Sequence, residues 1–270
     1  CIFTIVVPDM KKPLLDVIFA SEKRKNILLL LQDGPKQMEF LLRSLDTTRQ
    51  ALLPQLKTLE EHYLVDHYDD TYELTTIGKL TAKEMNPLLE SLEIFDNDID
   101  YWGTRKLDFV PPYLLKRINE LGKCSIINPP LTDIHAIRAK FLKDNKRSDS
   151  IFVITTFFFA NYITLFSELI ESNVDIYFII DPGLYEKLQI ENDTVLREFV
   201  KNKRVQLFVY NKKMEFISFA FNDYCILLRI LESRGANDHK MLVCSGQSAL
   251  AWGKELFEYY LKDSKPITEL

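Results

Sequence analysis

Across residues 21–83 the spacing of apolar residues changes in one order: helical three times, strand-like twice around a polar turn, then helical again. Ser21 to Leu31 places Ile27, Leu28, Leu30 and Leu31 behind a charged first turn, and Asp33-Gly34-Pro35 stops it. Lys36 to Leu45 repeats Met38, Leu41, Leu42 and Leu45 at spacings of three and four until Asp46. Thr47-Thr48-Arg49-Gln50 fits a capping box, so the spacing predicts a third helix with Leu52, Leu56 and Leu59 as its buried stripe. Its opposite face carries Gln50, Pro54, Lys57 and Glu61, flanked by Ala51 and Thr58. Leu64 to His67 and Tyr72 to Leu74 then flank Tyr68-Asp69-Asp70-Thr71, and a helix opens at Thr75 or Thr76. Three helices, a two-stranded wing and a following helix are a winged helix-turn-helix.

In that fold the third helix enters the major groove, which makes Arg43, Thr47, Arg49, Gln50, Lys57 and Thr58 the candidate contacts to double-stranded DNA. Charge is mixed: residues 1–100 hold 11 Lys and Arg against 18 Asp and Glu, but residues 21–60 hold 7 against 5. Phosphate contacts therefore fall to Lys23, Arg24, Lys25, Arg43, Arg49 and Lys57, while Asp69 and Asp70 leave the wing ill suited to grip phosphate. The stretch Leu52 to Leu80 resembles the recognition helix and wing of archaeal ArsR-like transcriptional regulators, in the phrases LKTLEEHYLV and YELTTIGK. Winged helices also serve as protein-docking modules without DNA contact, and an acidic face docking a basic partner is the alternative.

The chain has 270 residues, enough for two domains, and is 47% apolar and 27% charged. Ile151 to Phe166, its longest apolar stretch, is broken by Thr155, Thr156, Asn161 and Thr164 and is shorter than the ~20 residues of a membrane span, so no membrane association is expected. Cys1, Cys124, Cys225 and Cys244 show no C-x-x-C spacing and read as reduced thiols of a cytoplasmic protein. His62, His67, His135 and His239 are scattered, so neither a metal nor a cofactor is expected. Residues 1–9, ahead of Met10-Lys11-Lys12, lack the pattern of a secretory signal.

Asn86-Pro87 reads as a helix opening, a cap followed by proline at the first helical position. Met85, Leu88, Leu92, Phe95, Ile99 and Trp102 then recur at three and four, the seam spacing of a two-helix contact. Leu88, Leu92, Phe95 and Ile99 are the candidate contacts of a homodimer, with packing inside the chain as the alternative. Helices are predicted over Pro111 to Leu121 and Leu131 to Asn145. From residue 150 strands and helices alternate: strands at Ile151–Thr155, Val174–Ile180, Arg204–Tyr210 and Lys240–Cys244, and a hairpin of Phe216–Phe221 and Tyr224–Leu231 turning at Asn222-Asp223. Helices fall at Phe158–Ser172, Val195–Lys201 and from Gln247, giving a mixed α/β sheet. Three divisions follow: a winged helix over 10–85, a connecting and dimerising helix over 86–105, and an α/β regulatory domain over 106–270.

DIYFIIDPG, FAFNDYCILLRIL and HKMLVCSGQSALAWGKELFEYYLKDS are similar to the domain that follows the winged helix in archaeal methanogenesis regulatory proteins. With the N-terminal likeness, the resemblance implies a cytoplasmic transcriptional regulator of a methanogenic archaeon rather than an enzyme. The same region looks distantly like the phospholipase D fold, but that fold's His-x-Lys-x4-Asp set is not supplied: His239 and Lys240 are adjacent and Gly246 stands seven after His239. For a small-molecule effector, the ends of the strands offer Thr156, Asp181, Tyr210, Ser245, Gly246 and Gln247. Ser245-Gly246-Gln247 would present free N–H groups to an anion, or simply cap its helix.

Overall fold

A computed structural model describes residues 11–128, 144–158, 162–191, 193–233 and 238–269. The chain divides into two compact units, Cys1–Leu89 and Glu90–Leu270.

The first unit runs α1 (Leu14–Phe19), α2 (Glu22–Leu30), β1 (Lys36–Gln37), α3 (Met38–Ser44), α4 (Arg49–Glu61), β2 (Val65–Tyr68), β3 (Thr71–Leu74) and the start of α5 (Thr76–Asp96). Ser21 caps α2 by accepting the Arg24 N–H, and a short 3₁₀ turn ends at Gly34, whose φ of 109° only glycine adopts readily. Ile27, Leu28, Leu31, Met38, Leu41, Leu52, Leu56 and Leu59 are all at most 2% exposed and meet in one core. At roughly 1.5–3 kcal/mol per buried side chain, this cluster is the main reason the three helices fold together. The wing closes more tightly than expected: Tyr68 pairs with Thr71, leaving Asp69-Asp70 as the turn, with Asp69 at a φ of 53°. β1, not anticipated, pairs with β3, so α3 starts two residues later than its apolar spacing suggested. Thr75 opens α5 by accepting the Gly78 N–H, and a Cβ on Gly78 would stand 1.9 Å from the Leu64 carbonyl oxygen. Glycine is required there because the backbone at Leu64, just before the wing's first strand, lies against the helix.

The structure departs from two expectations in this unit. The cap of α4 is Thr48, whose Oγ1 accepts the Ala51 N–H at 3.3 Å, so the Thr47 and Gln50 box does not form. Asn86-Pro87 does not open a helix; α5 passes through it unbroken. Asn86 instead donates to Gln32 Oε1 at 2.8 Å while Gln32 donates to the Ala82 carbonyl, so a side chain of the unit braces the turn before the proline. The bond that proline removes is outweighed by packing of the turns before it, where Ala82 and Met85 are buried in the core of the first unit.

The second unit holds an eight-stranded sheet in the order β11-β7-β6-β5-β8-β9-β10-β4: β4 (Cys124–Ile127), β5 (Ser150–Thr155), β6 (Asp175–Ile180), β7 (Val205–Tyr210), β8 (Ser218–Phe221), β9 (Cys225–Arg229), β10 (Met241–Ser245) and β11 (Ser264–Pro266). β5, β6 and β7 are parallel neighbours; every other pairing is antiparallel. Its helices are α6 (Ile99–Gly103), α7 (Pro112–Leu115), α8 (Tyr162–Glu171), α9 (Pro182–Glu191), α10 (Asp193–Lys201) and α11 (Gln247–Lys262). Trp252 and Tyr260 on α11 are buried among apolar side chains, and each donates its polar hydrogen to a carbonyl, Leu114 and Phe109.

The predicted helix at Pro111–Leu121 is broken into α7 and a 3₁₀ turn, and β4, β11 and α9 were not foreseen. The predicted helix at Leu131–Asn145 lies almost wholly outside the described residues. The cysteine reading is also corrected: Cys124 and Cys244 form a disulfide, because they stand directly opposite on β4 and β10 with Cα atoms 4.3 Å apart despite 120 residues of separation. Among the described residues no helix is long and apolar enough to cross a membrane, and no group of three His, Cys, Asp or Glu could hold a metal ion.

Candidate nucleic-acid interface

α4 buries Leu52, Leu56 and Leu59 and turns its opposite side to solvent. Gln50, Pro54 and Lys57 lie on that exposed side, and so does Leu53, which is 43% exposed and was missed by the sequence reading. At about 100° per residue Leu53 falls between Lys57 and the helix's other flank, so an outward leucine was legible from spacing alone. Such a surface can hydrogen-bond a base edge, touch a thymine methyl and reach a phosphate.

The other proposed contacts differ in availability. Arg49 grips the wing: its two terminal nitrogens reach the two Asp70 oxygens at 2.5 and 3.4 Å. Arg43 pairs with Glu39 one turn earlier at 3.1 Å, but both side chains are over 70% exposed, so this pair holds weakly. Thr58 donates its hydroxyl to the Pro54 carbonyl at 2.9 Å, one turn back along its own helix, so it is already engaged. Thr47 lies half-buried between α3 and α4, its N–H on the Leu42 carbonyl. The wing tip carries exposed Asp66, Asp69, Asp70 and Glu73. Its electrostatics reach inward to Tyr72, whose hydroxyl pKa is raised by burial and by the carboxylates of Glu60 and Asp70, Arg49 opposing.

The predicted dimer seam divides. Met85 and Trp102 are buried, and Phe95 packs edge-on against Trp102 at 5.6 Å, so it belongs to the core of the second unit. Leu88, Leu92 and Ile99 are 47, 44 and 63% exposed. On α5, Ile77, Leu80, Leu88 and Leu92 lie within an arc of about 120°, and all four are exposed.

The sheet does not gather the proposed effector residues. Thr156, Asp181 and Tyr210 follow or end the parallel strands β5, β6 and β7, and so share one edge. β10 runs antiparallel to β5, which puts Ser245, Gly246 and Gln247 at the opposite edge; a single ligand cannot face both groups. The first three also have partners: Thr156 Oγ1 lies 3.2 Å from the Phe216 and Ile217 carbonyls, and Asp181 accepts the Gly183 and Met214 N–H groups. Tyr210 is 5% exposed, and burial raises its pKa. At the other edge Gly246 precedes α11 with no side-chain cap, and Ser248 in its first turn lines a cavity of about 850 Å³. The pair His239-Lys240 is adjacent to Asp238, with Lys240 Nζ 3.9 Å from its carboxylate.

The sequence matches two family models in succession: the N-terminal domain of methanogenesis regulatory protein FilR1 over residues 13–93, and its middle domain over residues 134–263. The FilR1 of Methanothrix harundinacea (strain 6Ac) is 24% identical over 267 residues, which cover 94% of this chain and 58% of that protein. The chain thus spans less than two thirds of its relative. Among solved structures, the archaeal chromatin protein TrmBL2, described as showing a novel mode of DNA binding, aligns with a TM-score of 0.43 at 13% identity, covering 94% of this chain and 97% of its own. A phosphatidylserine synthase of Haemophilus influenzae aligns at 0.41 and 13% identity, over 77% and 58%. Both scores fall below what carries a fold argument, and the phospholipase D likeness gains nothing from them. The sequence likeness stands by itself: this chain is similar to the methanogenesis regulatory protein FilR1, matched in order by that protein's N-terminal and middle domain models.

Proposed function

We propose that the chain is a DNA-binding transcriptional regulator of methanogen metabolism, working inside the cell. The winged helix over residues 10–85 reads an operator, and the α/β region over 106–270 biases that reading in response to an effector or partner. The observation that carries this reading is the exposed face of α4, where Gln50, Leu53 and Lys57 stand outward on a helix anchored by three buried leucines. Gln50 is assigned to a base edge, Leu53 to a thymine methyl, and Lys57 and Arg43 to phosphate. The match to FilR1 domains supports a regulatory rather than an enzymatic role.

The exposed stripe of Ile77, Leu80, Leu88 and Leu92 on α5 suits a second copy of the chain, and a dimer would present two α4 helices to two half-sites. A gel-shift with the gene's own upstream DNA, with and without cell metabolites, tests the reading. Wild type should shift specifically, and Leu88→Asp/Leu92→Asp should give a soluble monomer with weakened binding. An unchanged dimer by light scattering removes the stripe from the interface. Absence of any shift by the wild type favours the docking of a basic protein on the acidic wing.

A further inference from the structure

The Cys124–Cys244 disulfide joins the edge strand β4 to its neighbour β10. Its two ends are unlike. Cys244 is 0% exposed, whereas Cys124 is half-buried and lines the cavity of about 850 Å³ that Ser248 also borders. Four of the nine other lining residues are acids. Glu93 and Asp96 come from the last turn of α5, joined by Glu90, whose carboxylate accepts from Asn119, and by Glu120, already paired with Arg117. Lys123 is the cation among these lining residues. Asn97, which follows α5, donates to the Cys124 carbonyl at 2.9 Å, so the strand carrying Cys124 is tied to the segment that carries the acids.

We infer that this disulfide is a thiol-exchange site, opened at Cys124 by small thiols that are cationic or neutral and resisted by anionic ones. Exchange begins with a thiolate attacking a disulfide sulfur, and access decides which sulfur is attacked. With Cys244 sealed in the core, the thiolate bonds to the Cys124 sulfur, the sulfur–sulfur bond breaks, and the electron pair leaves on Cys244 and takes up a proton. A second thiolate then attacks the outer sulfur of the mixed disulfide, releasing the small-molecule disulfide and the Cys124 thiolate. Two small thiols are oxidised and the protein disulfide is reduced, so electrons balance. The acids set the selectivity, because a thiol bearing its own carboxylate must enter a negatively lined cavity, whereas an ammonium-bearing thiol is drawn in. After reduction, β4 keeps its ladder with β10 and its Asn97 bond, so the fold persists with a looser sheet edge.

The inference is independent of DNA binding and is tested on the full chain purified without reductant. Alkylation of the denatured, unreduced protein should leave Cys124 and Cys244 unlabelled. Cysteamine should then open the bond roughly five-fold or more faster than mercaptoacetate at low ionic strength, each rate first divided by that thiol's rate on a small exposed disulfide. The ratio should fall toward one in about 0.5 M salt, where screening is nearly complete within the cavity's width. It should also fall in Glu93→Gln/Asp96→Asn, and the first trapped adduct should sit on Cys124. The inference is overturned by labelling of both cysteines before reduction, by equal normalised rates at low salt, or by a first adduct on Cys244.

Discussion

The outward face of α4 and the carboxyl-end edge of β5, β6 and β7 were both singled out by polar residues in suggestive places, and they differ in what those residues are already doing. On α4, Gln50 and Lys57 stand in solvent while the leucines behind them hold the helix. At the sheet edge, Asp181 accepts two backbone N–H groups, Thr156 lies on two carbonyls and Tyr210 is buried. Residue type and position nominate a site, but bonding capacity left over after folding decides whether it can receive a ligand. Buried polar groups find partners within the fold as a rule, which makes the exposed helix the better candidate.

Three aspartates sharpen this comparison, since each is occupied at a different depth. The deepest effect is expected at Asp238, whose partner Arg105 is 1% exposed at its side chain, stacks on the Tyr101 ring at 4.2 Å and also reaches the Ile230 carbonyl. Burial would raise the Asp238 pKa, but hydrogen bonds from Arg105 and the Lys240 N–H outweigh it and hold the carboxyl below its ordinary value. Asp238→Asn should cost about 2 kcal/mol, under the usual cost of breaking a fully buried pair because Asp238 itself is partly solvated. The sign with pH follows from the depressed value: the contribution is complete above the unfolded pKa of about 3.9 and is lost as pH falls through the lower folded one. Thermal melts of wild type and variant should therefore differ at neutral pH and converge in acid.

Asp181 comes next. Asp181→Ala should lower stability by about 1–2 kcal/mol through the loss of two backbone hydrogen bonds, measured by urea unfolding, with DNA affinity unchanged. A variant of wild-type stability that had lost an effector response would reverse the assignment. The smallest effect belongs to Asp70, exposed on the wing, where the Arg49 pair is worth under about 1 kcal/mol. Asp70→Asn should leave stability nearly unchanged yet raise DNA affinity a few-fold at low salt, by freeing Arg49 and removing an acid from the wing. Weaker binding would mean that the Arg49 bridge orients α4 rather than withholding a cation.

The same comparison explains what could be read in advance. Helices α2, α3 and α4 were legible because each carries its own apolar stripe, with stops at Asp33-Gly34 and Asp46, whereas α1 and β1 were not foreseen. The parallel strands were legible as short apolar runs. A cap followed by proline misled once: Asn86-Pro87 looked like a start and is interior, whereas Asp181-Pro182, just past the strand that ends at Ile180, does open a helix, α9. Local chemistry is nearly the same in both; the distant partners, Gln32 for Asn86 and Met214 for Asp181, are what differ. β4 was missed for a related reason, since Cys-Ser-Ile-Ile has no alternation of its own and is a strand because β10 lies beside it. The disulfide, which depends on that pairing, could not be read from cysteine spacing.

The most direct test of the account is equilibrium binding of wild type, Gln50→Ala and Lys57→Ala to a pool of randomised duplexes at two salt concentrations. Gln50→Ala should lose about 1–3 kcal/mol of discrimination at one base position while keeping its salt slope. Lys57→Ala should weaken binding to all sequences alike and make the log–log salt slope shallower by roughly one unit. Unchanged affinity, preference and salt slope in both variants, with wild type binding normally, would contradict the assignment of this face as the reader of DNA.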